Sequence, residues 1–129
     1  MFLELLTDIH RGLAQTGILF FIALGLWALW MRFRSRPLDG SWYGAAAIGE
    51  LLMIVEFLLG WILYSQGLGE NLARAFVHIL YAVVAVITLP AAYLYLSRLK
   101  NENVKTVLFA IVCFFLMEVI IRARVVALV

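Results

Sequence analysis

Cysteine occurs once in the 129 residues, proline and histidine twice each, and charged side chains make up only 14% of the chain. A single thiol, Cys113, excludes an internal disulfide and a Cys-x-x-Cys-His haem attachment. Two histidines with one cysteine give no zinc-ligand spacing, and no phosphate-binding glycine loop or nucleophile elbow is present, so hydrolase and kinase chemistry has no support. The scarcity of charge is itself decisive. Soluble domains run about 25% charged and about 45–50% apolar, whereas 66% of this chain is hydrophobic and its mean hydropathy is +1.04. A water-soluble domain is therefore excluded. The formal net charge is +2, carried by arginines and lysines at the ends of apolar segments, so nucleic acid is not an expected partner.

What is present is four long apolar blocks. A membrane helix needs roughly 20 residues, so four use about 80 and leave only short connections. The expected spans are about 11–31, 43–65, 73–96 and 104–126, in one integral membrane domain covering 1–129. Arg36-Pro37-Leu38-Asp39-Gly40-Ser41, Gln66-Gly67-Leu68-Gly69-Glu70-Asn71 and Ser97 to Asn103 supply the turns. Lipid offers the backbone no hydrogen-bonding partner, and the blocks show no two-residue alternation, so helices are expected rather than a barrel. The fold class is all-α: a four-helix transmembrane bundle, antiparallel, up-down-up-down. Pro90 in the third span removes one backbone donor and predicts a kink, with Thr88 free to bond locally.

Orientation follows from short basic loops. Arg32, Arg34 and Arg36 close the first span, and Arg98, Lys100 and Lys105 bracket the third connection, so both face the cytoplasm and both termini lie on the outer side. Trp27, Trp30, Trp42, Tyr43, Tyr93 and Tyr95 then flank the inner surface, and Trp61 and Tyr64 approach the outer one. The segment Met1-Phe2-Leu3-Glu4 lacks a basic stretch and a small-residue cleavage pattern, so the first span is expected to be retained. The expected location is the cell membrane, as a multi-pass protein; in a prokaryote this is the bacterial inner membrane.

Polar side chains in lipid are costly, so those sharing a depth are candidates to satisfy one another. A rise of about 1.5 Å per residue from the inner surface places Glu50 at about 12 Å and Glu56 and Glu118 at roughly 20 Å. On the same ruler Gln15, Tyr81 and Arg122 fall at about 25 Å, His78 at about 30 Å and His10 at about 33 Å. Glu118 and Arg122 are spaced for an intrahelical ion pair. Glu56 has no partner nearby in sequence and is expected to point inward, toward Gln15, Tyr81 or Arg122, as the proton-handling, catalytic candidate. Glu50 reads as a snorkelling or helix-contact acid. Gly49, Met53, Glu56 and Gly60, and Ala82, Ala85 and Ala92, form stripes suited to close helix packing.

His10 begins the first span and His78 the third, two helices running in the same direction, as in a weak parallel repeat. Two imidazoles from parallel helices at matched depth are the arrangement that ligates a non-covalent haem b. In span count and in the His10/His78 pair the chain resembles the small four-helix membrane cytochromes of the cytochrome b561-like type. The resemblance implies a redox subunit binding haem b or quinone near the outer membrane face, with His10 and His78 as metal ligands. It implies a cofactor site completed by Tyr81, Glu118 and Arg122, with Arg11, Arg74 and Arg122 near the propionates. A quinone instead needs only His78 or Tyr81 as hydrogen-bond partner and Glu56 for its proton. The alternatives are a non-catalytic accessory or assembly subunit of a larger membrane complex, and an oligomeric carrier or channel with Glu56 and Glu118 along its path. Expected partners are the lipid bilayer and other membrane subunits or further copies of the chain.

Overall fold

A computed structural model describes residues 1–67 and 74–128. Four helices account for nearly all of them: α1 Phe2–Phe33, α2 Gly40–Ser65, α3 Ala75–Leu96 and α4 Glu102–Leu128. Each is long and apolar enough to cross a membrane. The start of the third expected span and most of the second expected turn lie outside the described residues.

Local chemistry sets the helix ends. At the end of α1, Arg36 N–H donates to the Met31 carbonyl at 2.9 Å and Ser35 N–H to the Arg32 carbonyl at 3.0 Å. Ser35 takes a positive φ of 54° between them. This is the paired closure that satisfies a helix's last carbonyls, and Pro37 two residues on cannot extend it. Asp39 then caps α2, its Oδ1 accepting from the Trp42 N–H at 3.0 Å. Asn101 does the same for α4, accepting from the N–H groups of Asn103 and Val104. α3 continues through Pro90, and the Thr88 hydroxyl donates to the Val84 carbonyl just upstream.

α1 is longer than its expected span, starting at Phe2 instead of near residue 11. Thirty-two residues reach about 48 Å, well beyond a hydrocarbon core of about 30 Å. Glu4, Asp8 and Arg11 are exposed on these added turns, while Leu3, Leu6 and Thr7 turn partly inward. The polar residues that bounded the apolar block lie on one side of a continuing helix, so they do not end it.

α4 packs extensively on α1 and α3, α2 packs on α1, and the α2–α3 contact is the thinnest. α1 and α3 therefore stand across the bundle from each other. Phe21, Ala28, Trp42, Phe109, Cys113 and Leu116 are essentially sealed from the surroundings. Trp42 was expected at the membrane interface; it lies inside the bundle, its Nε1–H donating to the Leu24 carbonyl at 3.1 Å and its ring 5.4 Å from that of Phe109. Burying an indole is tolerable because its one donor is used. Thr106, also buried, donates to the Glu102 carbonyl at 2.8 Å. Leu19, Leu51, Ile87 and Ile111 point outward, the normal state of a helix surface whose solvent is lipid.

Gly25 marks a close approach, because a Cβ there would stand 2.9 Å from Cζ of Phe114. Gly25→Leu is expected to cost about 1–3 kcal/mol by overpacking. Gly44→Leu, where nothing lies within 4 Å of an added Cβ, leaves stability unchanged. Thermal unfolding of the detergent-solubilised variants compares the two.

Candidate functional site

Each helix contributes one stripe at helical spacing to a cavity of about 760 Å³. This lies within the roughly 300–1,000 Å³ usual for ligand sites. α1 supplies Thr7, His10, Arg11 and Ala14; α2 supplies Met53, Glu56, Gly60, Leu63 and their aromatic neighbours. From α3 come His78, Tyr81, Ala82 and Ala85, and from α4 Val119, Ile120, Ala123, Arg124 and Ala127. Alanine and glycine at facing positions keep the backbones close to the cavity without filling it. Met53, Glu56, Gly60, Ala82 and Ala85, expected as packing stripes, form its walls, while Gly49 packs on Phe20 and Phe21.

The two histidines meet across the bundle. Their ring centroids are 6.4 Å apart, with the planes at 75°. His78 Nδ1 lies 2.8 Å from the Ala123 carbonyl oxygen, and since a carbonyl can only accept, Nδ1 carries the proton. With Nδ1–H committed to that carbonyl, the ring in its neutral form has its lone pair on Nε2. His10 Nδ1 lies 2.9 Å from Glu56 Oε1. That contact is close but poorly aligned, since neither buried atom has a well-directed hydrogen bond. Among the described residues no hydrogen bond uses Nε2 of either ring. Gly60 makes room for His10: a Cβ there would come within 3.1 Å of Cε1 of the imidazole.

Glu56 was expected to face Gln15, Tyr81 or Arg122, and it meets His10 instead. Tyr81 lines the cavity. Glu118 and Arg122 do pair, Arg122 Nε donating to Glu118 Oε1 at 3.0 Å, but on the outer surface, with side chains 48% and 61% exposed. The structure does not bring them to the cavity. Arg124 occupies the place expected of Arg122, with Nη1 donating to Gln15 Oε1 at 2.7 Å. Arg11 reaches the cavity as expected, and Arg74 is the exposed residue preceding α3, outside the cavity lining. Glu50 does not snorkel: both carboxylate oxygens are enclosed and, among the described residues, have no hydrogen-bond partner.

Sequence reasoning missed Arg124 and the carbonyl of Ala123. The signal was available in the α4 stripe, since Ile120, Ala123, Arg124 and Ala127 share a face that Arg122 does not.

A metal ion bound by one nitrogen of each imidazole at roughly 2 Å would set the ring centroids about 6 Å apart, close to the 6.4 Å between His10 and His78. His78 Nδ1 donates to a backbone carbonyl, the outer-shell arrangement that orients a ligating histidine, whereas His10 Nδ1 only lies close to Glu56 Oε1. Among the described residues no three of His, Cys, Asp or Glu gather around one point. A metal held by His10 and His78 would have to bring its remaining donors with it.

The tautomer of His78 is directly measurable. In protein labelled with ¹⁵N-histidine, the neutral form of His78 is expected to be the tautomer protonated on Nδ1, and nitrogen chemical shifts check this. Comparison with protein-family models, with curated proteins and with solved structures found no match for this chain.

Proposed function

We propose that the chain is a small redox subunit of the cell membrane, holding one haem b between His10 and His78 near the outer membrane face. The observation that carries this is the pair of imidazoles, 6.4 Å apart inside an apolar cavity, each with its Nδ1 against an oxygen. When bound, haem b supplies reversible one-electron transfer. The chain's own residues do the rest. The Ala123 carbonyl holds the His78 ring in the tautomer that presents Nε2, and Glu56 holds the edge of His10. Met53, Ala82, Ala85, Val119 and Ile120 give the cavity apolar walls.

A quinone is the second reading, favoured by Tyr81 and Glu56 lining the same space. There the tyrosine hydroxyl or His78 hydrogen-bonds a carbonyl oxygen and Glu56 handles the proton. A carrier path through Glu56 and Glu118 has less support, since Glu118 lies on the outer surface. An accessory subunit is the outcome if the cavity takes neither cofactor.

The proposed topology is up-down-up-down with both termini outside. Its support is that Leu24 meets Trp42 at one end of the α1–α2 pair and His10 meets Glu56 at the other. Arg34, Arg36, Arg98 and Lys100, all exposed, then fall on one side.

Purified chain titrated with haem b is expected to bind one equivalent and give the reduced-minus-oxidised spectrum of a six-coordinate b-type haem. His10→Ala and His78→Ala each lower retained haem by at least about tenfold. Wild-type chain that retains no haem refutes the primary reading, and a quinone effect in its place establishes the second. In intact cells an impermeant maleimide labels Glu4→Cys but neither Ser35→Cys nor Asn101→Cys, the native Cys113 being buried.

A further inference from the structure

We propose that the cavity is filled from within the bilayer, through the seam between α2 and α3, so that its occupant is a molecule dissolved in lipid rather than one delivered from water. This deepens the cofactor reading above and rests on it in taking the cavity as a ligand site.

Three of the four seams around the cavity are closed by specific contacts. Between α1 and α2, His10 lies against Gly60 and Glu56. Between α3 and α4, the His78 imidazole is tied to the Ala123 carbonyl. α1 and α4 make the broadest contact of the bundle, continued at this end by Arg124 with Gln15. The α2–α3 contact is the thinnest, and α3 is the least enclosed of the four helices. Tyr43 and Tyr93 meet edge-to-face across this seam, their ring centroids 5.8 Å apart. That lock stands at the dense end, about 25 Å along α2 from Gly60.

The register set by the two tyrosines carries the seam to the cavity. Phe57 follows Tyr43 by fourteen residues and Ile79 precedes Tyr93 by fourteen, about four turns on each helix, so both lie on the facing lines that the tyrosines mark. Both line the cavity. One turn beyond Phe57, Trp61 lines the cavity and is 55% exposed, and Tyr64, stacked on it, lines the cavity and is 43% exposed. A side chain that borders a cavity and is also open to the surroundings stands in an opening. Ala82 on the α3 bank adds only a methyl group.

Depth says what the opening faces. The 26 residues of α2 reach about 39 Å, so centring them on a hydrocarbon core of about 30 Å leaves Phe57 about 7 Å inside its boundary. The opening at Phe57 and Ala82 therefore meets acyl chains, with aromatic rings on one bank. The other edge of the cavity, at Thr7 and the exposed Arg11, is polar and lies toward the headgroups. An apolar molecule already in the membrane crosses the lateral opening without passing through water, and only the two helices must part to admit it.

The experiment uses the full chain in phosphatidylcholine nanodiscs, with haem b dissolved in the disc lipid as the probe. Ile54 and Val83 stand on the outer rim of the seam, eleven residues after Tyr43 and ten before Tyr93, both exposed and neither in the cavity lining. In a Cys113→Ala background, Ile54→Cys with Val83→Cys is joined by a short bis-methanethiosulfonate and compared with the same protein capped by the one-armed reagent. Joining is expected to slow haem uptake at least about tenfold, and to slow release of haem bound beforehand by a similar factor. Damage to the site itself speeds release instead. A nitroxide on Trp61→Cys is expected to collide with dissolved oxygen more than with a water-soluble nickel chelate. Uptake and release that ignore the cross-link, or a nitroxide reached mainly by the chelate, overturn the inference and leave the haem site standing. Wild-type chain that binds no haem refutes the haem reading alone, since the nitroxide still decides what the seam faces.

Discussion

Inside a bilayer a polar atom finds no water, so a side chain that can hydrogen-bond must either reach the headgroups or meet a partner carried by another helix. His10 and His78 take the second course, and much of the geometry at their end of the bundle follows from it. They sit on α1 and α3, helices that do not pack directly on each other, and each is held by a neighbour on the helix between. α4 offers the Ala123 carbonyl to His78, and α2 offers Glu56 to His10. The open centre that remains is bounded by imidazoles on two sides and by small side chains above and below. A tighter bundle would fill this space with leucine or phenylalanine. Here Ala14, Gly60, Ala82 and Ala123 keep it wide.

The two ends of the molecule are built on opposite principles. Around Trp42, Tyr43 and Phe109 the helices are locked by edge-to-face aromatic contacts at 5.4–5.5 Å, and Cys113 and Leu116 continue that core without a gap. Around His10 the same four helices enclose a cavity. A dense end fixes the helices against one another, and so holds the two imidazoles at a set separation without requiring anything between them. Preorganisation of this kind lets a ligand bind without first ordering its site.

Sequence legibility followed the physics of each feature. The four helices were readable because lipid demands long uninterrupted apolar blocks, and the meeting of His10 with His78 followed from depth, which a fixed rise per residue measures well. Azimuth was harder. Arg122 and Arg124 are only two residues apart and so almost the same depth, yet two residues turn an α-helix by more than half a circle. One therefore faces outward beside Glu118 and the other reaches the cavity. The Glu56–His10 contact was missed for a different reason: the ruler took Trp42 as level with Arg32, but Trp42 meets Leu24, about two turns further along α1, so Glu56 was placed too close to the inner surface. Trp42 was assigned to the interface by residue type, because the sequence does not reveal that the Leu24 carbonyl waits inside the bundle for the indole donor.

Glu118 and Arg122 show why charge inside a hydrophobic block is an uncertain guide to function. Four residues apart on one helix, they neutralise each other locally and need nothing from α1, α2 or α3. Arg124 has no acid at that spacing on its own helix, since Ile120 and Leu128 occupy the positions one turn away. It must therefore look to another helix, and among the described residues it meets the neutral Gln15. A charge that can close on itself carries little information about a ligand. A charge that its own helix cannot neutralise and that the fold turns toward an apolar cavity carries much more.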